Sequence, residues 1–173
     1  MKDNVKRIQL LIEAVMIVAL VIIDRVTKEM AVKKLMNKPA YVIIDGVFEL
    51  RYLENRGAAF GMLQNRQWFF IIVGIIMFAG VIYILVKIPV DKKYITAQIA
   101  VTMIAAGAIG NMIDRISQNY VVDFLYFSLI DFPIFNVADI YVTVSCILLA
   151  VMLMFVYKED DLAFLSFKKK ENE

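Results

Sequence analysis

Hydrophobic and polar positions divide the chain into four long apolar stretches separated by more polar connections. The stretches cover roughly residues 8–28, 68–87, 94–114 and 137–157. Each is close to the ~20 residues that an α-helix needs to cross the hydrocarbon core of a bilayer. The second stretch is the most uniformly apolar, whereas Glu13 interrupts the first. The pattern predicts an all-α membrane protein with four transmembrane helices, built as one membrane-embedded domain over residues 1–173.

The connection between the first two helices has a different pattern. Residues 41–44 and 47–53 are rich in β-branched and aromatic side chains, and Asp45-Gly46 lies between them. An Asp-Gly pair between two such runs is a strong signal for a β-hairpin. We therefore predict a small extracytoplasmic β element over about residues 41–60.

Composition narrows the chemistry that the chain can perform. The 173 residues are 61% hydrophobic, which is more than a soluble domain of this size can bury. The formal net charge of +2 gives no basis for nucleic-acid binding, and we expect none. The chain has no histidine, so Ser-His and Cys-His catalysis and HExxH zinc sites are excluded. The single cysteine, Cys146, cannot form an internal disulfide, and we expect neither a metal nor a cofactor.

Basic residues indicate how the helices are oriented in the membrane. The short connection at Lys87–Lys93 holds three lysines and Pro89, and short lysine-rich loops tend to stay in the cytoplasm. An even number of helices then places both termini there, with Lys168–Lys170 facing anionic headgroups. No small-x-small cleavage site follows the first apolar stretch, so we expect it to remain as a helix.

Polar residues gather at one end of the predicted helices, on the membrane face away from the N-terminus. They lie at the ends of the first and third helices, at the start of the fourth, and in the connections between them. Asn111, Asp114 and Arg115 are spaced i, i+3, i+4 and so share one helix face. Acids at membrane depth are costly and tend to be functional. The group comprises Asp24, Lys28, Asn55, Asn111, Asp114, Arg115, Asp123, Asn136 and Asp139.

Purely structural roles compete with a functional one at several of these positions. Asn136 and Asp139 occupy the N-cap and first turn of the fourth helix, where both residue types are favoured as caps. Asp114 and Arg115 are neighbours and could form an ion pair at a helix end. Asp123, between apolar neighbours, is harder to explain as a solvated loop residue.

Small residues in the third helix also allow two interpretations. Gly107 and Gly110 lie within a run of alanine and glycine. Small residues let membrane helices approach closely, which favours ordinary helix packing. The alternative is that they leave room for a substrate chain.

Paired aspartates offer a route to peptide hydrolysis without histidine. Adjacent like charges cannot both ionise cheaply, so one carboxyl stays neutral while the other is ionised. The ionised acid can take a proton from water, and the neutral acid can protonate the scissile carbonyl oxygen. The polar group described above contains enough aspartates for such a pair.

Five motifs, taken together, resemble the bacterial lipoprotein signal peptidases, also called signal peptidase II or prolipoprotein signal peptidase. Each motif alone is weakly specific, but five in order from the first helix to the fourth are highly specific. They are Asp24-Arg25-x-x-Lys28, Asn55-x-Gly57-Ala58-Ala59-Phe60, Gly110-Asn111-x-x-Asp114-Arg115, Val121-Val122-Asp123-Phe124 and Phe135-Asn136-x-Ala138-Asp139.

The resemblance implies an intramembrane aspartic endopeptidase of the bacterial cell membrane, with its site near the extracytoplasmic face. Such an enzyme removes the signal peptide just before the diacylglyceryl-modified cysteine of a prolipoprotein. The implied dyad is Asp123 with Asp139. Asp114 is the alternative second acid, but its neighbour Arg115 favours a structural ion pair. The implied substrate-binding or supporting residues are Asp24, Lys28, Asn55, Gly57, Asn111, Asp114, Arg115, Asn136 and Ala138.

The implied partners are prolipoprotein substrates and membrane lipids, and we expect a monomer. One departure from the family pattern is Arg25, where glutamine is common. It occupies a flanking position and affects the interpretation little.

Other functions explain fewer of these features. An ion conductor needs a polar path through the whole bilayer, whereas these residues stay at one face. A Ser-Lys peptidase would need a lysine inside a helix core beside Ser117, Ser128 or Ser145, and the pattern predicts no such lysine. A non-catalytic membrane subunit accounts for the hydrophobicity but not for the five motifs.

Overall fold

The structure is a computed structural model that describes residues 2–57 and 66–165. Ala58–Phe60 of the second motif and the basic run Lys168–Lys170 lie outside the described residues. The fold is mostly helical with a small sheet. In chain order the long elements are α1 (Lys2–Leu35), β1 (Tyr41–Ile44), β2 (Phe48–Asn55), α2 (Gln67–Lys87), α3 (Ile95–Gln118), β3 (Val121–Tyr126) and α4 (Val137–Phe155).

Within the described residues, three helical segments are long and apolar enough to cross a membrane. They are Gln67–Lys87, Lys92–Gln118 and Val137–Phe155. Most side chains of α2 are exposed apolar groups, which only lipid can cover. The chain is therefore an integral membrane protein. The remaining helix, α1, is longer than the others but carries Glu13, Asp24 and Arg25 along its apolar part.

Helix α3 lies at the centre of the bundle and packs against α1, α2 and α4. Its small residues are buried where the other helices cross it. A Cβ atom on Gly107 would lie 2.5 Å from the carbonyl oxygen of Ala138, and one on Gly110 would lie 2.5 Å from Oδ2 of Asp24. Both distances are too short for a side chain, so these glycines permit close helix packing.

The predicted hairpin is confirmed, since β1 and β2 pair antiparallel around a turn in which Gly46 has a φ of +65°. The prediction missed a third strand, because the connection between the third and fourth helices, which contains Val121–Phe124, was expected to be a loop. Strand β3 pairs antiparallel with β2 and completes a sheet of order β1-β2-β3. Its hydrogen-bonding partner lies about seventy residues earlier, so no local turn signal marks it.

Helix α1 continues to Leu35 instead of ending near residue 28. Ala31 and Leu35 are buried in its last turns, where they form a hydrophobic cluster with Val122 and Phe124 of β3. This packing explains the extra length, because the added turns support the sheet. Helix α1 therefore connects the bundle to the sheet that covers one end of it.

Candidate active site

The register of β2 against β3 brings two of the predicted site residues, Asn55 and Asp123, together. Leu53 lies opposite Asp123, so Asn55 is the diagonal neighbour of Asp123 on the same sheet face. The Asn55 amide donates from Nδ2 to Oδ2 of Asp123 at 2.8 Å. The backbone N–H of Gly57 donates to Oδ1 of Asn55 at 3.0 Å, which fixes the amide in this orientation. Gly57 thus acts on Asp123 through Asn55.

The N-terminus of α4 is closed by a capping box, so the predicted capping role of Asn136 and Asp139 is confirmed. The backbone N–H of Asp139 donates to Oδ1 of Asn136 at 3.1 Å. The backbone N–H of Asn136 donates to Oδ2 of Asp139 at 3.0 Å. This reciprocal pair satisfies N–H groups that would otherwise have no partner at a helix start.

The atoms that the capping box leaves free hold the two acids in one network. Asn136 donates from Nδ2 to Oδ1 of Asp123 at 2.6 Å. Asn111 of α3 donates from Nδ2 to Oδ1 of Asp139 at 2.8 Å. The Asn136 amide also lies 3.2 Å from Oδ1 of Asn111. Three asparagine amides therefore fix both carboxylates, and capping and site assembly use the same side chains.

The segment before α4 is held against β3, which sets the position of Asp139 relative to Asp123. The backbone N–H groups of Phe124 and Leu125 both donate to the carbonyl oxygen of Phe135, at 3.0 and 2.8 Å. The backbone N–H of Phe135 donates in turn to the carbonyl oxygen of Leu125 at 3.0 Å. The residue just before the α4 cap is thus fixed to the strand that carries Asp123.

A buried ionic cluster supports this network from the α1 side. Nζ of Lys28 lies 2.8 Å from Oδ2 of Asp24 and 2.9 Å from Oδ2 of Asp114. It also donates to Oδ1 of Asn111 at 2.9 Å, which links the cluster to the asparagines. Only 2% of the Lys28 side chain is exposed, and both acids are fully buried. The sequence-based expectation that no lysine lies in a helix core was therefore wrong.

The lysine in the core does not form a Ser-Lys pair with any described serine. Its partners are the two carboxylates and one amide given above. Ser117 donates to backbone carbonyl groups of its own helix instead. Among residues 2–57 and 66–165, no group of three or more histidine, cysteine, aspartate or glutamate side chains has the arrangement of a metal site.

The predicted ion pair of Asp114 with Arg115 is replaced by pairs with α1. Asp114 bonds Arg25 through Oδ1 and Lys28 through Oδ2. The backbone N–H of Val122 also lies 3.5 Å from Oδ2 of Asp114. Arg25, which was considered a flanking position, is therefore a direct partner of a buried acid. Helix proximity in space, rather than adjacency in sequence, selects the partner.

Asp24 has a second contact that explains the small residue at position 138. The backbone N–H of Ala138 donates to Oδ1 of Asp24 at 3.0 Å, and Ala138 is completely buried. Gly110 leaves the space that the Asp24 carboxylate occupies. Asp24 therefore joins α1 to the first turn of α4, just beside Asp139.

Arg115 lies at the border of the site instead of in the ionic cluster. Its guanidinium group lies over the ring of Phe70, 4.7 Å from the centroid, and donates to the carbonyl oxygen of Asn111 at 3.4 Å. The Nε atom has no hydrogen-bond partner among the described residues. The guanidinium group therefore has free donor capacity.

A cleft of about 440 Å³ opens at the two acids. Asp123, Asp139, Asn55, Gly57 and Arg115 line it. Its apolar walls were not predicted as site residues, although Phe135 was part of the last motif. They are Phe132, Pro133, Ile134, Phe135, Ile140, Thr143 and Val144. A second cavity of about 250 Å³, between α2, α3 and α4, shares Asp139, Arg115 and Thr143 with the cleft.

The two acids have different surroundings. Asp123 is 1% exposed, and this burial is the main cause that raises the pKa of its carboxyl group. The charge of Asp139 also raises this pKa, whereas hydrogen bonds from Asn55 and Asn136 and the charge of Lys28 lower it, and the net result is a pKa of about 7. Asp139 lies in the first turn of α4, where the helix dipole favours a negative charge. The surroundings therefore favour a proton on Asp123 more than on an ordinary exposed aspartate.

Comparison with known proteins agrees with the motifs. The sequence profile of the family described as Signal peptidase (SPase) II matches residues 16–155. A protein of Caldanaerobacter subterraneus named lipoprotein signal peptidase is 44% identical over 144 residues, which are 82% of this chain and 96% of the relative. One of the same name from Clostridium tetani is 42% identical over 151 residues, covering 86% and 94% of the two chains.

Two solved structures of membrane enzymes have a fold similar to that of this chain. One described as a bacterial membrane enzyme has a TM-score of 0.73 and 30% sequence identity, and the match covers 91% of this chain and 93% of that one. A second of the same description has a TM-score of 0.72 and 31% identity, covering 84% and 94%. The membrane-embedded chain therefore belongs to the signal peptidase II family of proteases.

Proposed function

We propose that this protein is an intramembrane aspartic endopeptidase. It removes the signal peptide of lipid-modified prolipoproteins by cleaving just before the diacylglyceryl-cysteine. The observation that carries the proposal is that Asp123 and Asp139 line one cleft and share a network of asparagine amides. The names of the relatives, lipoprotein signal peptidases, support the substrate class.

Asp123 serves as the acid and Asp139 as the base. The pKa of Asp123, raised to about 7, allows a large fraction of this carboxyl group to hold a proton near neutral pH. Both Asp123 oxygens accept an amide hydrogen bond, and the carboxyl group lines the cleft in which the scissile carbonyl group would bind. Asp139 takes a proton from water, whose oxygen attacks the scissile carbonyl carbon while Asp123 protonates the carbonyl oxygen. Collapse of the intermediate breaks the C–N bond, and the leaving amine takes the proton that Asp139 gained from water. The hydroxyl group formed from the carbonyl oxygen returns its proton to Asp123 as the C=O bond forms again.

The other site residues position this pair or the substrate. Asn55, Asn111 and Asn136 orient the two carboxyl groups. Arg115 also lines the cleft, where its guanidinium group can bind a substrate carbonyl oxygen. Asp114 has both oxygens occupied by cationic side chains, which supports a structural role over a catalytic one.

Helix α1 serves as a fourth membrane span. Its charged residues in the apolar part turn inward, since Glu13 is 5% exposed and Asp24 is fully buried. Its outward side chains are apolar, as with Leu11 and Val15. With four spans both termini lie on one side of the membrane, and the lysines of the Lys87–Lys93 connection on that side favour the cytoplasm. We infer that the dyad lies near the extracytoplasmic face, within one monomeric domain surrounded by lipid.

Cysteine labelling is expected to confirm this orientation. In a Cys146→Ala background, Asp45→Cys in the hairpin turn should react with a membrane-impermeant thiol reagent added to intact cells. Asp91→Cys, between α2 and α3, should react only after the cells are opened. The two positions are both exposed, so each serves as the control for the other. Reaction of position 91 in intact cells would overturn the proposed orientation.

Cleavage of a prolipoprotein in a defined membrane tests the function directly. Purified protein in liposomes should cut a diacylglyceryl-modified precursor just before the modified cysteine. The same precursor without the lipid should be cut at least 100-fold more slowly, because the acyl chains fix the scissile bond at the depth of the dyad, and positioning of this kind is worth at least this factor. Gel mobility and mass spectrometry of the products give rate and position. Equal rates for the two precursors would reject the proposed substrate class.

The cleavage rate is expected to fall as pH rises through about 7. The reaction needs a protonated Asp123, and its raised pKa of about 7 places the loss of that proton in this range. The same shift makes Asp123 bind more protons when folded than when unfolded between its ordinary pKa and about 7, so its contribution to stability also declines as pH rises across that window. Initial rates from pH 5 to 9, with unfolding followed in parallel, separate the two effects. A rate that rises through pH 7 would contradict the assignment of Asp123 as the acid.

A further inference from the structure

A groove of about 640 Å³ lies on the side of α1 that supports the sheet, outside the cleft of the two acids. Residues at i, i+3, i+4, i+7 and i+8 line it along one face of α1. These are Thr27, Met30, Ala31, Lys34 and Leu35. The loop after α1, with Lys38 and Ala40, forms one wall, and Tyr41, Leu50 and Phe124 of the sheet form the other.

The groove combines an apolar floor with an exposed basic rim. Ala31, Leu35 and Phe124 are buried members of the hydrophobic cluster under the sheet and form the floor. Lys34 and Lys38 are exposed and line the groove where α1 ends, and Lys34 is ten residues beyond Asp24, roughly 15 Å further along the helix axis. A phospholipid likewise combines apolar chains with a charged headgroup.

The two lysines are free to bind an anion. Lys34 and Lys38 are both exposed, and neither forms an ion pair within residues 2–57 and 66–165. Lys33, in the same turn of α1, instead lies 3.7 Å from a carboxylate oxygen of Glu29 and does not line the groove. Two unpaired cations at the rim of an apolar groove complement a phosphate group attached to acyl chains.

We propose that this groove binds one anionic phospholipid of the extracytoplasmic leaflet, with an acyl chain along Met30 and Ala31 and the headgroup phosphate between Lys34 and Lys38. The site is separate from the substrate cleft and does not depend on the proposed peptidase reaction. The bound lipid contacts Phe124, the residue after Asp123, and so stabilises the strand that carries the acid. The groove thus couples membrane composition to the support of the site.

Native mass spectrometry of the full chain in detergent tests the proposal with dioleoyl phosphatidylglycerol and dioleoyl phosphatidylcholine as probes. The wild-type protein should retain one phosphatidylglycerol in preference to phosphatidylcholine. Lys34→Gln should weaken this binding about fivefold, and Lys34→Gln with Lys38→Gln roughly 25-fold, in line with the attraction of single basic residues to anionic lipid. Lys33→Gln makes the same charge change in the same helix turn and should leave the affinity unchanged.

A second variant tests the apolar part without changing charge. Ala40→Trp adds a large side chain at the wall of the groove and should displace the lipid while both lysines remain. Equal binding of the two lipids, or an equal loss with Lys33→Gln, would overturn the proposal. Displacement by soluble glycerol phosphate at matched concentration would also overturn it, because that result would identify a simple phosphate site.

Discussion

Replacing Asp123 or Asp139 with asparagine is expected to abolish peptide cleavage while the protein stays folded in the membrane. Asparagine keeps the size of the side chain but can neither ionise nor hold the shared proton. Proton transfer by one positioned group is worth roughly 10²–10⁴-fold. In the proposed mechanism each acid acts in both attack and departure, so the loss should be about 10⁴-fold. The double variant should be little slower than either single variant, because groups that act as a unit are not additive.

The controls separate loss of chemistry from loss of structure. Asp45→Asn makes the same substitution at an exposed turn of the same sheet and should leave the rate unchanged. Asp114→Asn should lower stability and yield more than the rate per folded molecule, because Asp114 pairs with Arg25 and Lys28. If Asp123→Asn remains active while well-folded Asp114→Asn is dead, the dyad is Asp114 with Asp139. If only Asp139 is essential, the shared-proton mechanism fails.

Among the single variants proposed here, Lys28→Met is expected to cause the largest decrease in the free energy of unfolding. The change leaves Asp24 and Asp114 buried with one fewer cation, and Asp24 then has no ionic partner among the described residues. Breaking a buried ion pair from one side typically costs about 3–5 kcal/mol, because the remaining charge stays buried and uncompensated. Thermal unfolding in detergent, followed by tryptophan fluorescence or by aggregation, measures the effect.

Two further variants make this result specific. Lys33→Met removes a lysine from the same helix where its side chain is 76% exposed, and should change stability little. Adding Asp24→Asn to Lys28→Met should recover part of the loss, because the uncompensated charge is removed while Asn can still accept the hydrogen bond from Ala138. A Lys28→Met protein as stable as wild type would show that the cluster carries no net stabilisation.

The sequence alone determined the membrane class and predicted most of the residues that the structure brings together around the cleft. Apolar stretches of about twenty residues identify helices in lipid because the required length is fixed by bilayer thickness. The Asp45-Gly46 turn identified the hairpin because the turn signal is local. The cap at Asn136 and Asp139 was predictable for the same reason, since both partners lie within one helical turn.

Only the tertiary structure decided the partners that lie far apart in the chain. Strand β3 exists because its edge pairs with β2, and this pairing places Asn55 against Asp123 across 68 positions of sequence. Asp114 bonds Arg25 across 89 positions instead of its neighbour Arg115, because the crossing of α1 and α3 brings the two side chains together. Lys28 is buried for the same reason, since its partners are Asp24 of α1 and Asp114 and Asn111 of α3. Sequence periodicity specifies which face of a helix is polar, but the choice among several charged groups on facing helices depends on how those helices pack.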